Sequence, residues 1–107
     1  MRRPAEFKRA YAVGKRLGNE FFTVNAQPNG LASARLGMSI AARILRRAVD
    51  RNRVRRLIRE SFRVHQLGLP AVDIVIGARA GVLAADNARL RSALEQLWHR
   101  IGSACAA

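Results

Sequence analysis

The side chains able to do chemistry in this sequence are mostly guanidiniums. Between Arg43 and Arg63, nine residues are arginine and only Asp50 and Glu60 are acidic, a local net charge of +7 within a chain total of +13. Guanidinium forks grip phosphate oxygens bidentately and stack on base planes. Like charge at that density works against compactness unless a polyanion neutralises it. Nucleic acid is the first partner this implies, with an anionic membrane surface second. Each neutralised phosphate releases counterions, so binding should weaken steeply with salt.

Groups for acid–base or nucleophilic work are scarce. His65 and His99 are the only histidines and Cys105 the only cysteine, and the seven acids are scattered. No paired carboxylates mark a metal site, no Ser/His or Cys/His pair has motif spacing, and the glycines form no phosphate loop. The expectation is that the chain holds no catalytic side chain, no metal and no cofactor of its own.

Of the 20 basic residues only Lys8 and Lys15 are lysines. A GC-rich genome explains that ratio as well as function does, but it does not explain the net charge. One cysteine excludes a disulfide framework within the chain. No apolar run approaches the roughly 20 residues of a membrane span, and the charged start lacks a signal core. The reading is cytoplasmic, with no membrane and no DNA partner expected.

Elements must hold these groups in place. Phe7, Ala10 and Tyr11 share a face of a short helix, about Pro4 to Val13. Glu20 to Gln27 reads as a strand with Phe22, Val24 and Ala26 on one face and Phe21, Thr23 and Asn25 on the other. After the turn signal Pro28-Asn29-Gly30 comes a second strand, Arg35 to Ala41, expected to pair with the first as an antiparallel hairpin. The arginine-rich segment reads as a helix. Val54, Leu57, Ile58, Ser61 and Phe62 form its apolar face; Asn52, Arg55, Arg56, Arg59 and Arg63 form its opposite ridge. Val72 to Arg79 reads as a central strand covered on both faces. A last helix, capped by Asp86, runs from about Asn87 to Ile101, and the tail 102–107 is expected to be disordered. The 107 residues make one domain, 1–107, expected to bind nucleic acid and of α+β class: a small mixed sheet covered by helices, in the order α-β-β-α-β-α.

The aromatics admit two roles. Phe22, Phe62 and Trp98 read as core. Phe7, Tyr11 and Phe21 either pack in the core or, on a partly open sheet face, stack single-stranded bases.

Arg51-Asn52-Arg53, then Arg55-Arg56, then Leu57-Ile58-Arg59-Glu60 resembles the signature of the protein subunit of bacterial ribonuclease P. The resemblance extends to "EFKRAYAVGKRLGNEFF", "RLGMSIAAR" and "DIVIGAR", in the same order. It implies a left-handed β-α-β crossover through the basic helix. It also implies that a large RNA carries the catalytic centre and its Mg2+, while the protein binds that RNA and the 5′ leader of precursor tRNA. Arg51, Asn52, Arg53, Arg55, Arg56 and Arg59 match the signature and would touch the catalytic RNA; Arg46, Arg47 and Arg63 flank it. Phe7 and Tyr11 match helical positions of the leader cleft, and Phe21 or Phe22 its strand positions. Asn25 stands where many relatives have a larger or aromatic side chain. The chain would thus be the accessory subunit of a ribonucleoprotein endoribonuclease. The alternative of another class is a ribosomal or assembly protein that binds RNA without serving an enzyme.

Overall fold

The computed structural model describes residues 15–105, so the predicted helix Pro4–Val13 lies outside it. The described elements, in chain order, are β1 Lys15–Gly18, β2 Phe22–Pro28, β3 Arg35–Ser39, α1 Ala48–His65, β4 Val72–Ala78 and α2 Asn87–Cys105. Short 3-10 turns, Gln66–Gly68 and Ala80–Ala84, follow α1 and β4. This is the α+β architecture expected, with an edge strand, β1, that the sequence reading left unassigned.

The sheet order is β1-β2-β4-β3. The expected β2–β3 hairpin does not form: β4 lies between them, antiparallel to β2 and parallel to β3. The cause is not local. Pro28, Asn29 and Gly30, the last at φ 67, make the turn the sequence signals, but a turn permits direct pairing or a gap one strand wide. The gap is filled by the most apolar strand, and Asn29 helps hold it there. Its backbone N–H donates to the Ala71 carbonyl at 3.1 Å, and its Nδ2 donates to Asp73 Oδ1 at 3.1 Å. The β3–α1–β4 segment is therefore a parallel β-α-β unit.

β4 is central, but among the described residues only one of its faces is covered, not both as the sequence suggests. Val72, Ile74, Ile76 and Ala78 are buried, whereas Val75 is 46 % exposed. A run of apolar residues hid the alternation that the backbone imposes. On the buried side Phe22, Val24 and Ala26 of β2 lie beside β4. Both helices cover that side. Val54, Leu57, Ile58 and Phe62 of α1 are buried there, as are Leu90, Leu94, Leu97, Trp98 and Ile101 of α2. Burying each such side chain contributes roughly 1.5–3 kcal/mol, enough to hold a helix whose other face repels itself.

The two helices lie side by side and run in the same direction. Arg53 bonds to Asn87 near their starts, and the Trp98 indole N–H donates to Ser61 Oγ at 2.7 Å further along. Trp98 also meets Phe62 edge-on, with ring centroids 5.8 Å apart. At the start of α2, Asp86 Oδ1 accepts the Arg89 N–H at 2.8 Å, as its capping role requires. α2 continues to Cys105, past the predicted end at Ile101 and into the segment expected to be disordered.

Asn19 fixes the β1–β2 turn. Its side-chain oxygen accepts the N–H groups of Phe21 and Phe22, both at 3.0 Å, and its amide donates to the Ala93 carbonyl of α2 at 3.1 Å.

Candidate nucleic-acid interface

The arginine ridge forms as the helical period dictates. The apolar face of α1 turns to the sheet, so Asn52, Arg56, Arg59 and Arg63 are exposed on the opposite side and Arg55 is half-buried at its margin. Arg43, Arg46 and Arg47 are exposed just before the helix and extend the cationic surface. Arg47 lies 3.9 Å from Asp50, a loose pair that leaves its guanidinium open to solvent.

Arg51 and Arg53 are different. Both are half-buried. Arg51 Nη1 donates to the carbonyls of Leu45 and Arg46 at 2.7 and 2.9 Å. Arg53 Nη1 donates to Asn87 Oδ1 at 3.0 Å, and its Nη2 donates to the Val82 carbonyl at 2.9 Å, with Ala85 further off at 3.5 Å. The sequence reading grouped these two with the ridge as RNA contacts. Their donors point largely into the protein, a fact that helical spacing could not reveal because the partners of Arg53 lie about thirty residues away.

The other face of the sheet is a second surface, and among the described residues no element packs on it. The register sets its rows: Gly18, Thr23, Gly77 and Ser39 form one, and Arg16, Asn25, Val75 and Gly37 the next. A shallow depression of about 470 Å3 there is lined by Arg16, Thr23, Asn25, Ser39, Val75, Gly77 and Arg79, among others. Its floor is low because glycine makes it so. A Cβ on Gly77 would come within 2.7 Å of Thr23 Oγ1, and one on Gly18 within 3.3 Å of an Arg79 guanidinium nitrogen. The result is a smooth strip with hydroxyls, an amide and two cations around it. Neither Arg16, Arg79, Thr23 nor Ser39 was singled out from sequence. Only the strand register brings them together.

The aromatic expectations need correcting. Phe22 is fully buried in the core and offers no stacking face. Phe21 precedes β2 in a bend, so strand alternation does not govern it, and only 7 % of it is exposed. Arg89 lies over its ring at 5.4 Å from the centroid, and Gly81 lies close against it. Arg89 is held in turn by Glu20 at 3.2 Å. Asn25 is half-buried on the open face, as alternation predicts. Phe7 and Tyr11 lie outside the described residues.

At the far end of the open face, Asp73 accepts two bonds from Arg35, at 2.7 and 2.8 Å. Arg35, and next to it Asn29, hold the Asp73 carboxyl down to about 2. Other acids are engaged as well: Glu20 with Arg89, Asp50 with Arg47, Asp86 in the helix cap. Among the described residues no three of His, Cys, Asp and Glu gather as metal ligands, and no helix is long and apolar enough to cross a membrane.

Fold and site first define a class: a small, strongly basic α+β domain with a row of exposed arginines along one helix. The family model for ribonuclease P matches residues 1–102. The chain is 42 % identical over 104 residues to the ribonuclease P protein component of Thioalkalivibrio sulfidiphilus, covering 97 % of this chain and 87 % of that one. To the Halorhodospira halophila protein component it is 52 % identical over 91 residues, covering 84 % and 75 %. Among solved structures, a Staphylococcus aureus RNase P protein mutant superposes with a TM-score of 0.77 at 31 % identity, over 94 % of this chain and 85 % of that one. The RNase P protein from Thermotoga maritima superposes at 0.76 with 32 % identity, over 94 % and 98 %. The chain belongs to the ribonuclease P protein family, as the protein component of that ribonuclease, and the alternative of a ribosomal or assembly protein loses its support.

Proposed function

We propose that the α1 ridge binds the catalytic RNA of ribonuclease P and that the open sheet face receives the single-stranded 5′ leader of precursor tRNA. The observation that carries this reading is the exposed row of Asn52, Arg56, Arg59 and Arg63, backed by a helix face buried in the core. A ridge so placed reaches phosphates without disturbing packing, and it positions the protein rather than reading sequence. On the sheet side, Arg16 and Arg79 would hold backbone phosphates, with Thr23, Asn25 and Ser39 as hydrogen-bonding partners. Stacking faces for bases would come from Phe7 and Tyr11, the family's helical positions.

The chemistry belongs to the RNA. Mg2+ would be held by RNA phosphates and would supply metal-assisted phosphodiester hydrolysis; most of this chain's carboxylates already face arginines or a helix cap. The protein's part is electrostatic. It lowers repulsion between two polyanions and holds the leader close to the site. Cytoplasmic location follows from that task.

The test is reconstitution with a transcript of the source organism's ribonuclease P RNA and a precursor tRNA. RNA alone should cleave slowly and only at high magnesium. Adding the protein should restore cleavage at low magnesium, and Arg56→Ala with Arg59→Ala should weaken assembly. Cleavage by the RNA-free protein would overturn the assignment of the chemistry.

A further inference from the structure

Among the described residues, Arg51 and Arg53 are the two cations of the arginine segment whose guanidiniums hydrogen-bond within the protein, five contacts in all, four of them to backbone carbonyls. Each spans α1 and a neighbouring loop. Arg51 holds the loop before α1, which carries the exposed Arg46 and Arg47. Arg53 holds the 3-10 turn Ala80–Ala84 and the start of α2, and these lie between Arg79 on the sheet side and Arg89 on α2. Three cationic surfaces, the ridge, the segment before α1 and the rim of the open face, are therefore tied together through these two side chains.

A planar fork suits this task. Arg53 reaches an amide oxygen with one nitrogen and a carbonyl with the other, which a lysine ammonium cannot do from one point. Asn52, between the two arginines, is exposed on the ridge. We propose that Arg51 and Arg53 are positioning residues. They act on RNA by holding cation-bearing loops in register with the ridge, and Asn52 is the member of the Arg-Asn-Arg motif that faces RNA directly. This rests on the reading that the ridge binds RNA.

The experiment measures binding of the full chain to a transcript of the source organism's ribonuclease P RNA across a range of salt, below the unfolding temperature of every variant. Arg59→Gln, a ridge control, should lower the salt slope by about one unit. Arg53→Gln and Arg53→Lys should each weaken binding by about 3- to 10-fold, the cost of a side-chain hydrogen bond, with the slope unchanged. Asn87→Ala should do the same, and the double variant with Arg53→Gln should be no weaker than Arg53→Gln alone. Amide exchange over residues 80–87 should quicken in the free Arg53 variants. Arg51→Gln should behave alike over residues 43–47.

Two results overturn the proposal. If Arg53→Gln lowers the slope by about one while Arg53→Lys binds as wild type, the guanidinium touches phosphate. If exchange quickens but affinity is unchanged, the side chain is merely structural. An Arg59→Gln variant that binds with wild-type affinity and slope counts instead against the ridge itself.

Discussion

Gly77 and Asp73 show how single side chains shape the open face. Above Gly77 the space is taken by Thr23 Oγ1, 2.7 Å from where a Cβ would stand. Gly77→Ala should therefore destabilise the domain by about 1–3 kcal/mol through overpacking. Thr23→Ala in the same chain should recover most of that loss, as urea unfolding of the four variants would show; equal loss with and without Thr23 would rule out this contact as the cause. Asp73 makes a pH prediction. Its folded carboxyl lies near 2 against an ordinary 3.8, because Arg35 and Asn29 bond the charged form. The stability this contributes is present above the ordinary value and is lost as pH falls from 3.8 toward 2. Thermal unfolding of wild type and Asp73→Asn should differ at neutral pH and converge across that window. The effect should be modest, since both partners are largely exposed. Neither contact was legible in the sequence: Gly77 and Thr23 are 54 positions apart, and only the β2–β4 register makes them neighbours.

At the scale of elements, α1 was almost fully legible. A helix must present positions three and four apart on one side, so Val54, Leu57, Ile58 and Phe62 had to pack together and the arginines had to face away. Leu57→Ala should cost about 2–5 kcal/mol of stability and leave RNA affinity intact wherever the protein remains folded. Arg56→Ala with Arg59→Ala should do the reverse, with an unfolding temperature that does not fall and a salt slope reduced by up to about two units. An unfolding temperature that falls with the arginine pair would mean that the ridge packs on something. The strands were less legible. The burial pattern of β2 followed from alternation, but strand order depends on which strand the core claims for its centre. β1 has only four residues, Lys15–Gly18, and one of them, Leu17, packs against the core. So short a stretch gives alternation too little to show.

Across the described residues, the sheet separates two surfaces: helices and ridge on one side, the open strip on the other. The chain's net charge of +13 has opposite consequences for folding and binding. Screening relieves repulsion within the free protein but competes with its hold on RNA. Raising salt from a low level should therefore raise the unfolding temperature of the free chain while weakening its RNA complex. Thermal scans and filter binding over one salt series would compare the two, and a free protein made less stable by moderate salt would contradict this account.

The central place of β4 also bears on how the chain is born. Its partners in β2 lie as far back as Phe22, paired with Ala78, so the sheet cannot close until the segment through residue 78 has left the ribosome. By then the whole arginine helix has emerged without a floor for its apolar side. A nascent chain at that stage is a flexible polycation beside a surface made largely of RNA, and charge would draw it to the ribosome before packing can order it. Long-range pairing of this kind also slows folding. A fragment ending at Pro70 should stay unfolded in isolation, with little helical circular dichroism and unprotected amides, and adding residues 71–105 should restore cooperative unfolding. A fragment that folded without β4 would show that the helix finds its partners before the sheet does.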